Sequence, residues 1–173
     1  MTIRTNASVA GATFLIYIAA GISSMLLAHN AAAVAVLGVV TSFCAIVLGV
    51  TLWAITREQD RDLATLAMLC RVVEAVPAHG EIYFAVASTI FSWLLLQGRM
   101  IPAALAWLGV LSSSFLVVLL LVQQAGLLGG PRNWSSPVTW FVWLPMLVFE
   151  LSLATWLITK GVALHRPIEI EAK

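Results

Sequence analysis

Charge is what this sequence has least of. Lys, Arg, Asp and Glu together supply 10% of its 173 residues, against about 25% in a soluble globular chain. The net charge of +1 creates no basic field to attract phosphates, which excludes nucleic-acid partners. Cysteine is scarce too. Cys44 and Cys70 sit in apolar runs without CxxC spacing, so neither a structural disulfide nor a zinc site is expected, and both read as small hydrophobes in helix packing. No HExxH, nucleophile elbow, phosphate loop or dinucleotide fingerprint is present, so the sequence points to no metal and names no cofactor. Regular polar–apolar alternation is also missing, and with it the pattern of a β-barrel.

Apolar residues fill the space these leave. They make up 61% of the chain, and the mean hydropathy is +1.01. A domain of this size in water leaves much of its surface exposed and could not hide so much apolar area. The expected class is an all-α integral membrane protein surrounded by lipid. A bilayer crossing takes roughly 20 apolar residues, and suitable runs occupy 8–28, 34–55, 62–76, 82–97, 102–125 and 139–159. Residues 1–173 are therefore expected to form a single domain of six transmembrane helices. The first run, flanked by Arg4 and Ala31-Ala32-Ala33, has elements of a signal peptide, but its length favours a span.

Cationic residues favour the cytoplasmic side of a membrane. With the N-terminus inside, Arg4, Arg57, Arg61, Arg99, Lys160, Arg166 and Lys173 all fall there, and only Arg132 falls outside. Both termini are accordingly expected in the cytoplasm, with the chain in the cell membrane. Tryptophan prefers the two headgroup levels. Trp53, Trp93, Trp107 and Trp156 lie near the cytoplasmic helix ends, and Trp134, Trp140 and Trp143 near the outer end of the last helix.

This leaves Arg71, Glu74 and Glu150 as ionisable residues inside the spans. Each would cost about 2.5–3.5 kcal/mol or more facing lipid at mid-bilayer, so they should face the interior and find partners. At about 1.5 Å rise per residue, Arg71 and Glu150 lie at matching depth, with Glu74 one turn further out on the same face as Arg71. The expectation is a buried Glu–Arg–Glu cluster in which Arg71 reaches Glu150. Tyr17, Ser88, Thr89, Ser112, Ser113 and Ser114 fall in the same layer. The hydroxyls of Ser and Thr are expected to bond the preceding turn or a neighbouring helix, whereas the Tyr17 phenol can reach a carboxylate.

The third run is short, about 22 Å against a core of about 30 Å. Either it tilts in a thinned membrane, or its outer end lies inside the protein beneath a water-filled vestibule rimmed by His79 and Glu81. Pro145 removes a ladder bond from the sixth helix and should bend it before Glu150. The pairs Ala7–Gly11 and Ala45–Gly49 have the small-xxx-small spacing that lets helices approach closely.

Several segments resemble one family. They are Arg71-Val72-Val73-Glu74-Ala75, the corner from Phe91 through Gln97-Gly98-Arg99-Met100-Ile101-Pro102 into Leu105-Ala106-Trp107-Leu108-Gly109, and the ending from Phe149-Glu150 to Lys160-Gly161-Val162. In order and spacing these are similar to the prokaryotic integral-membrane family catalogued as domain of unknown function 4386. The chain is shorter than that pattern between helices 1 and 2, and between the Arg71–Glu74 motif and helix 4. The resemblance implies a six-helix membrane protein with Arg71, Glu74 and Glu150 at characteristic positions, and no activity.

Three functions fit these residues. The protein binds or transports a small apolar or cationic ligand at Arg71, Glu74, Glu150 and Tyr17. Alternatively, it is an accessory subunit of a larger membrane complex, with the cluster as a structural clamp. The third is a membrane-embedded enzyme with Glu74, Glu150 and His79 as acid–base groups. An open polar cavity reaching Glu74 would favour a ligand or chemistry, and a dry core the subunit.

Overall fold

Long apolar runs with few breakers make helices wherever an acceptor side chain can open them. Thr2 accepts the backbone N–H of Thr5 at 3.1 Å and Asn30 that of Ala33 at 3.1 Å, while Asp60 accepts that of Leu63 at 3.0 Å. Each satisfies a donor that the first helical turn leaves unbonded. The computed structural model describes residues 2–76, 80–127 and 137–163, without the side chains of 137 and 138. Among them are six helices: α1 (Ile3–Leu26), α2 (Ala31–Thr56), α3 (Arg61–Glu74), α4 (Gly80–Gln97), α5 (Ala103–Gln124) and α6 (Pro137–Thr159). The described residues contain no strand.

The helices form a ring. Each packs against its neighbours in sequence, and α6 returns to pack on α1. Phe14, Leu48, Leu52, Phe91, Leu95, Phe149 and Leu153 fill the interior. The outer surface is apolar as well: Val36, Val39, Phe43, Leu111 and Phe141 are all more than 60% exposed. An apolar surface this extensive suits contact with hydrocarbon.

Five helices are long and apolar enough to cross a membrane, the last over Thr139–Thr159. Helix α3 is not among them. Its 14 residues extend about 21 Å, and they include Asp62, Arg71 and Glu74. The expectation of six spans therefore stands at six helices, five with the dimensions of a span. Its low apolar content makes α3 dependent on its neighbours.

Two close approaches set the ring. A Cβ on Gly49 would lie 2.9 Å from Cβ of Arg71, so α2 meets α3 where no larger residue fits. A Cβ on Gly11 would lie 2.7 Å from the carbonyl oxygen of Ala154, which brings α1 onto α6. Both are the small-residue contacts expected from spacing. At one end of the ring the Ala163 N–H donates to the Met100 carbonyl at 2.9 Å, and Gly98 abuts Gln59. That end gathers Arg57, Arg61, Arg99 and Lys160, the charge asymmetry expected from sequence. Arg132, Arg166, Lys173 and Trp134 lie outside the described residues. Helix α6 runs unbroken through Pro145.

Candidate binding site at a buried ion pair

Glu74 follows Arg71 by three residues, one turn along the same face of α3. The Arg71 Nη1 donates to Glu74 Oε2 at 2.8 Å, and Tyr17 Oη on α1 donates to Glu74 Oε1 at 2.7 Å. Both carboxylate oxygens are thus engaged. Arg71 is 1% exposed, and its guanidinium carbon lies 4.9 Å from the ring centre of Phe84 and 5.9 Å from those of Phe14 and Tyr17. Rings at such distances attract a cation through their quadrupoles, more strongly away from water. An arginine that lipid would expel is held by one counterion and three aromatic faces.

Glu150 is buried too, and Phe149 beside it lines a small space shared with Arg71. The expected Arg71–Glu150 ion pair is not formed: within 4.0 Å, Arg71 pairs with Glu74 instead. Depth counted along a helix says nothing of the direction in which the guanidinium turns. The neighbour on its own helix captures it. The Oε1 of Glu150 has no hydrogen-bond partner.

A space of about 10 Å³, near the size one water molecule needs, lies between Arg71, Ser88, Ser92 and Phe149. Arg71 Nε and the hydroxyls of Ser88 and Ser92 have no protein partner. Three other hydroxyls of this layer, those of Thr89, Ser112 and Ser113, behave as expected. Thr89 and Ser113 bond the carbonyls one turn back and each other, at 2.9 Å, across α4 and α5. Ser112 bonds the carbonyl of Leu108.

The short α3 leaves room above its end. A cavity of about 580 Å³ opens there, with Glu74, Ala75 and Tyr17 on its inner side, Glu81 and Gly80 from α4, and Ser42 from α2. The Ser42 hydroxyl donates to the carbonyl of Ala75 at 3.1 Å and so satisfies one acceptor of the exposed helix end. Phe84 forms an aromatic wall with Tyr17 on one side, centroids 6.2 Å apart and planes 8° from parallel, and Trp143 on the other at 6.0 Å and 26°. Of the two vestibule residues expected from sequence, Glu81 lines the cavity, and His79 lies outside the described residues. Phe84, Trp143 and Ser42 are additions. Aromatic residues at helical spacing look the same whether they face lipid, core or a cavity, so the sequence carried no separate signal for them. Among the described residues, no group of three or more His, Cys, Asp or Glu converges as a metal site would. Cys44 and Cys70 are buried and unbonded.

A helical ring with membrane-spanning dimensions, a buried ion pair and a cavity ending on its carboxylate defines the class. The family model described as Domain of unknown function (DUF4386) matches residues 78–161, from the start of α4 through the end of α6, and this is the family that the sequence motifs resemble. The Arg71–Glu74 motif lies just before the matched stretch. No curated protein and no solved structure matches the chain.

Proposed function

We propose that this protein lies in the cell membrane with all six helices crossing, both termini cytoplasmic, and binds a small organic cation with an apolar body in the outer cavity. The observation that carries this reading is that the cavity is open and ends on Glu74. At about 580 Å³ it lies within the range of small-molecule sites, about 300–1,000 Å³. Its wall of Tyr17, Phe84 and Trp143 offers π-faces, and Glu74 and Glu81 supply negative charge. Aromatic faces beside carboxylates are the surroundings a desolvated cation favours. A scaffold would need only a dry core, and chemistry by Glu74 would first have to free a carboxylate already bonded to Tyr17 and Arg71.

Titration calorimetry on the purified protein in detergent tests this, with phenyltrimethylammonium as the cation and benzenesulfonate as an anion of similar shape. The cation should bind, and the anion should not. Trp143→Leu and Glu74→Gln should each weaken the cation at least about tenfold, the loss of about 1.4 kcal/mol of contact energy. Equal binding of both probes, or indifference to both substitutions, would refute the reading.

A further inference from the structure

The charges around Arg71 do not balance without another positive one. Arg71 and Glu74 neutralise each other through their 2.8 Å contact. Glu150 is then a second acid, 5% exposed, with Oε1 unpartnered and no cationic side chain within 4.0 Å among the described residues. The helices packed against α6 bring it no base. Helix α1 contributes Tyr17, its one base, Arg4, standing in its first turn 13 residues before Tyr17, and α5 contributes no charged or titratable residue. Across the ring, α3 presents Arg71 and Glu74, already engaged with each other. Helix α6 has no other ionisable group before Lys160 at its end. A carboxylate buried without a counterion or hydrogen bonds is strongly disfavoured.

Two things can supply the missing positive charge: a proton on Glu150, or a cation in the cavity above Glu74. We propose that they exchange, so that a cation entering the outer cavity expels one proton from Glu150. This rests on the cation-binding reading above and adds its coupling. In the ligand-free protein Glu150 is a neutral acid. When the cation settles beside the Arg71–Glu74 pair, Arg71 offsets much of the Glu74 charge, and an ionised Glu150 adds negative charge to that of Glu81 on the cavity wall. The O–H bond of the carboxyl breaks, its electron pair stays on the carboxylate, and the proton passes to water. The sign follows directly. Raising the pH removes the competing proton and tightens cation binding.

The test is calorimetric titration of phenyltrimethylammonium into the intact protein, in buffers of different ionisation enthalpy and across a pH series. Wild-type protein should release close to one proton per cation bound, and Kd should fall by up to about tenfold per pH unit, the limit for one linked proton. Glu150→Gln copies the protonated state, so it should bind with the acid-end Kd at every pH and release no proton. Proton release is read on the wild type alone, so a poorly folding variant leaves the test intact. Binding without proton release, or a pH slope that survives in Glu150→Gln, overturns the exchange while leaving cation binding in place. No binding at any pH removes the functional reading itself.

Discussion

Arg71 has one charged contact and a choice of two acids. Its Nη1 bonds Glu74 at 2.8 Å, and Glu150 is buried with its Oε1 unbonded. Removing one member of a buried pair costs about 3–5 kcal/mol, because the other is stranded, whereas removing both is milder. Thermal unfolding in detergent should therefore show a large loss of Tm for Arg71→Leu and partial recovery in Arg71→Leu with Glu74→Leu. Glu74→Leu alone should lose less than Arg71→Leu, since Glu150 can stand in as counterion. Strictly additive losses would show that the pair does not act as a unit. Much of this was legible in sequence, because i,i+3 spacing on α3 dictates which residues share a face, and lipid forbids leaving them outside. The choice of Glu74 over Glu150 was not legible. Depth along a helix can be counted residue by residue, but the direction of a side chain around the ring depends on packing. Ser88 was expected to be bonded and Ser92 passed unnoticed for the same reason: a hydroxyl in an apolar helix usually bonds its own preceding turn, and nothing marks the two that do not.

At the scale of the element, α3 is held by fit more than by its own tendency to enter lipid. Its face against α2 depends on Gly49, where a Cβ would lie 2.9 Å from the Cβ of Arg71. Both atoms are fixed close to backbone, so neither yields easily. Gly49→Ala should lower stability by about 1–3 kcal/mol, the usual cost of overpacking. Gly38 provides the control on the same helix, because a Cβ there meets nothing within 4 Å. Gly38→Ala should leave Tm unchanged or raise it slightly, alanine being about 1 kcal/mol better than glycine in a helix interior. Equal effects of the two would remove the close approach as the cause. The helix boundaries themselves were readable to within a few residues from apolar runs and cap residues. The start of α1 lies further back than the apolar run suggested, since Ile3 through Ala7 become helical once Thr2 caps them.

For the whole molecule, the ring gathers Arg57, Arg61, Arg99 and Lys160 at one end and opens its large cavity beside the outer end of α3. In the orientation proposed above from the positive-inside tendency, the basic end faces the cytoplasm and the cavity mouth the outside. Cysteine-accessibility labelling of intact cells checks this, because both native cysteines are buried. An impermeant thiol reagent should modify Leu127→Cys, which is 77% exposed at the end of α5, and should spare Arg57→Cys until the membrane is permeabilised. The reverse pattern, or equal labelling, would overturn the orientation.

The placement of Glu74 three residues after Arg71 also bears on how the chain is made. Apolar segments pass from the ribosome into lipid in order, and each charged residue at a helix centre opposes entry by about 2.5–3.5 kcal/mol. Arg71 would face that barrier before α4 and α6 exist to enclose it. Because its counterion lies on the same short helix, the two charges neutralise each other as soon as that turn of α3 forms. On the proposed six-span reading, the segment would then enter lipid as a dipole instead of a bare cation. A carboxylate supplied by α6 would arrive some eighty residues too late.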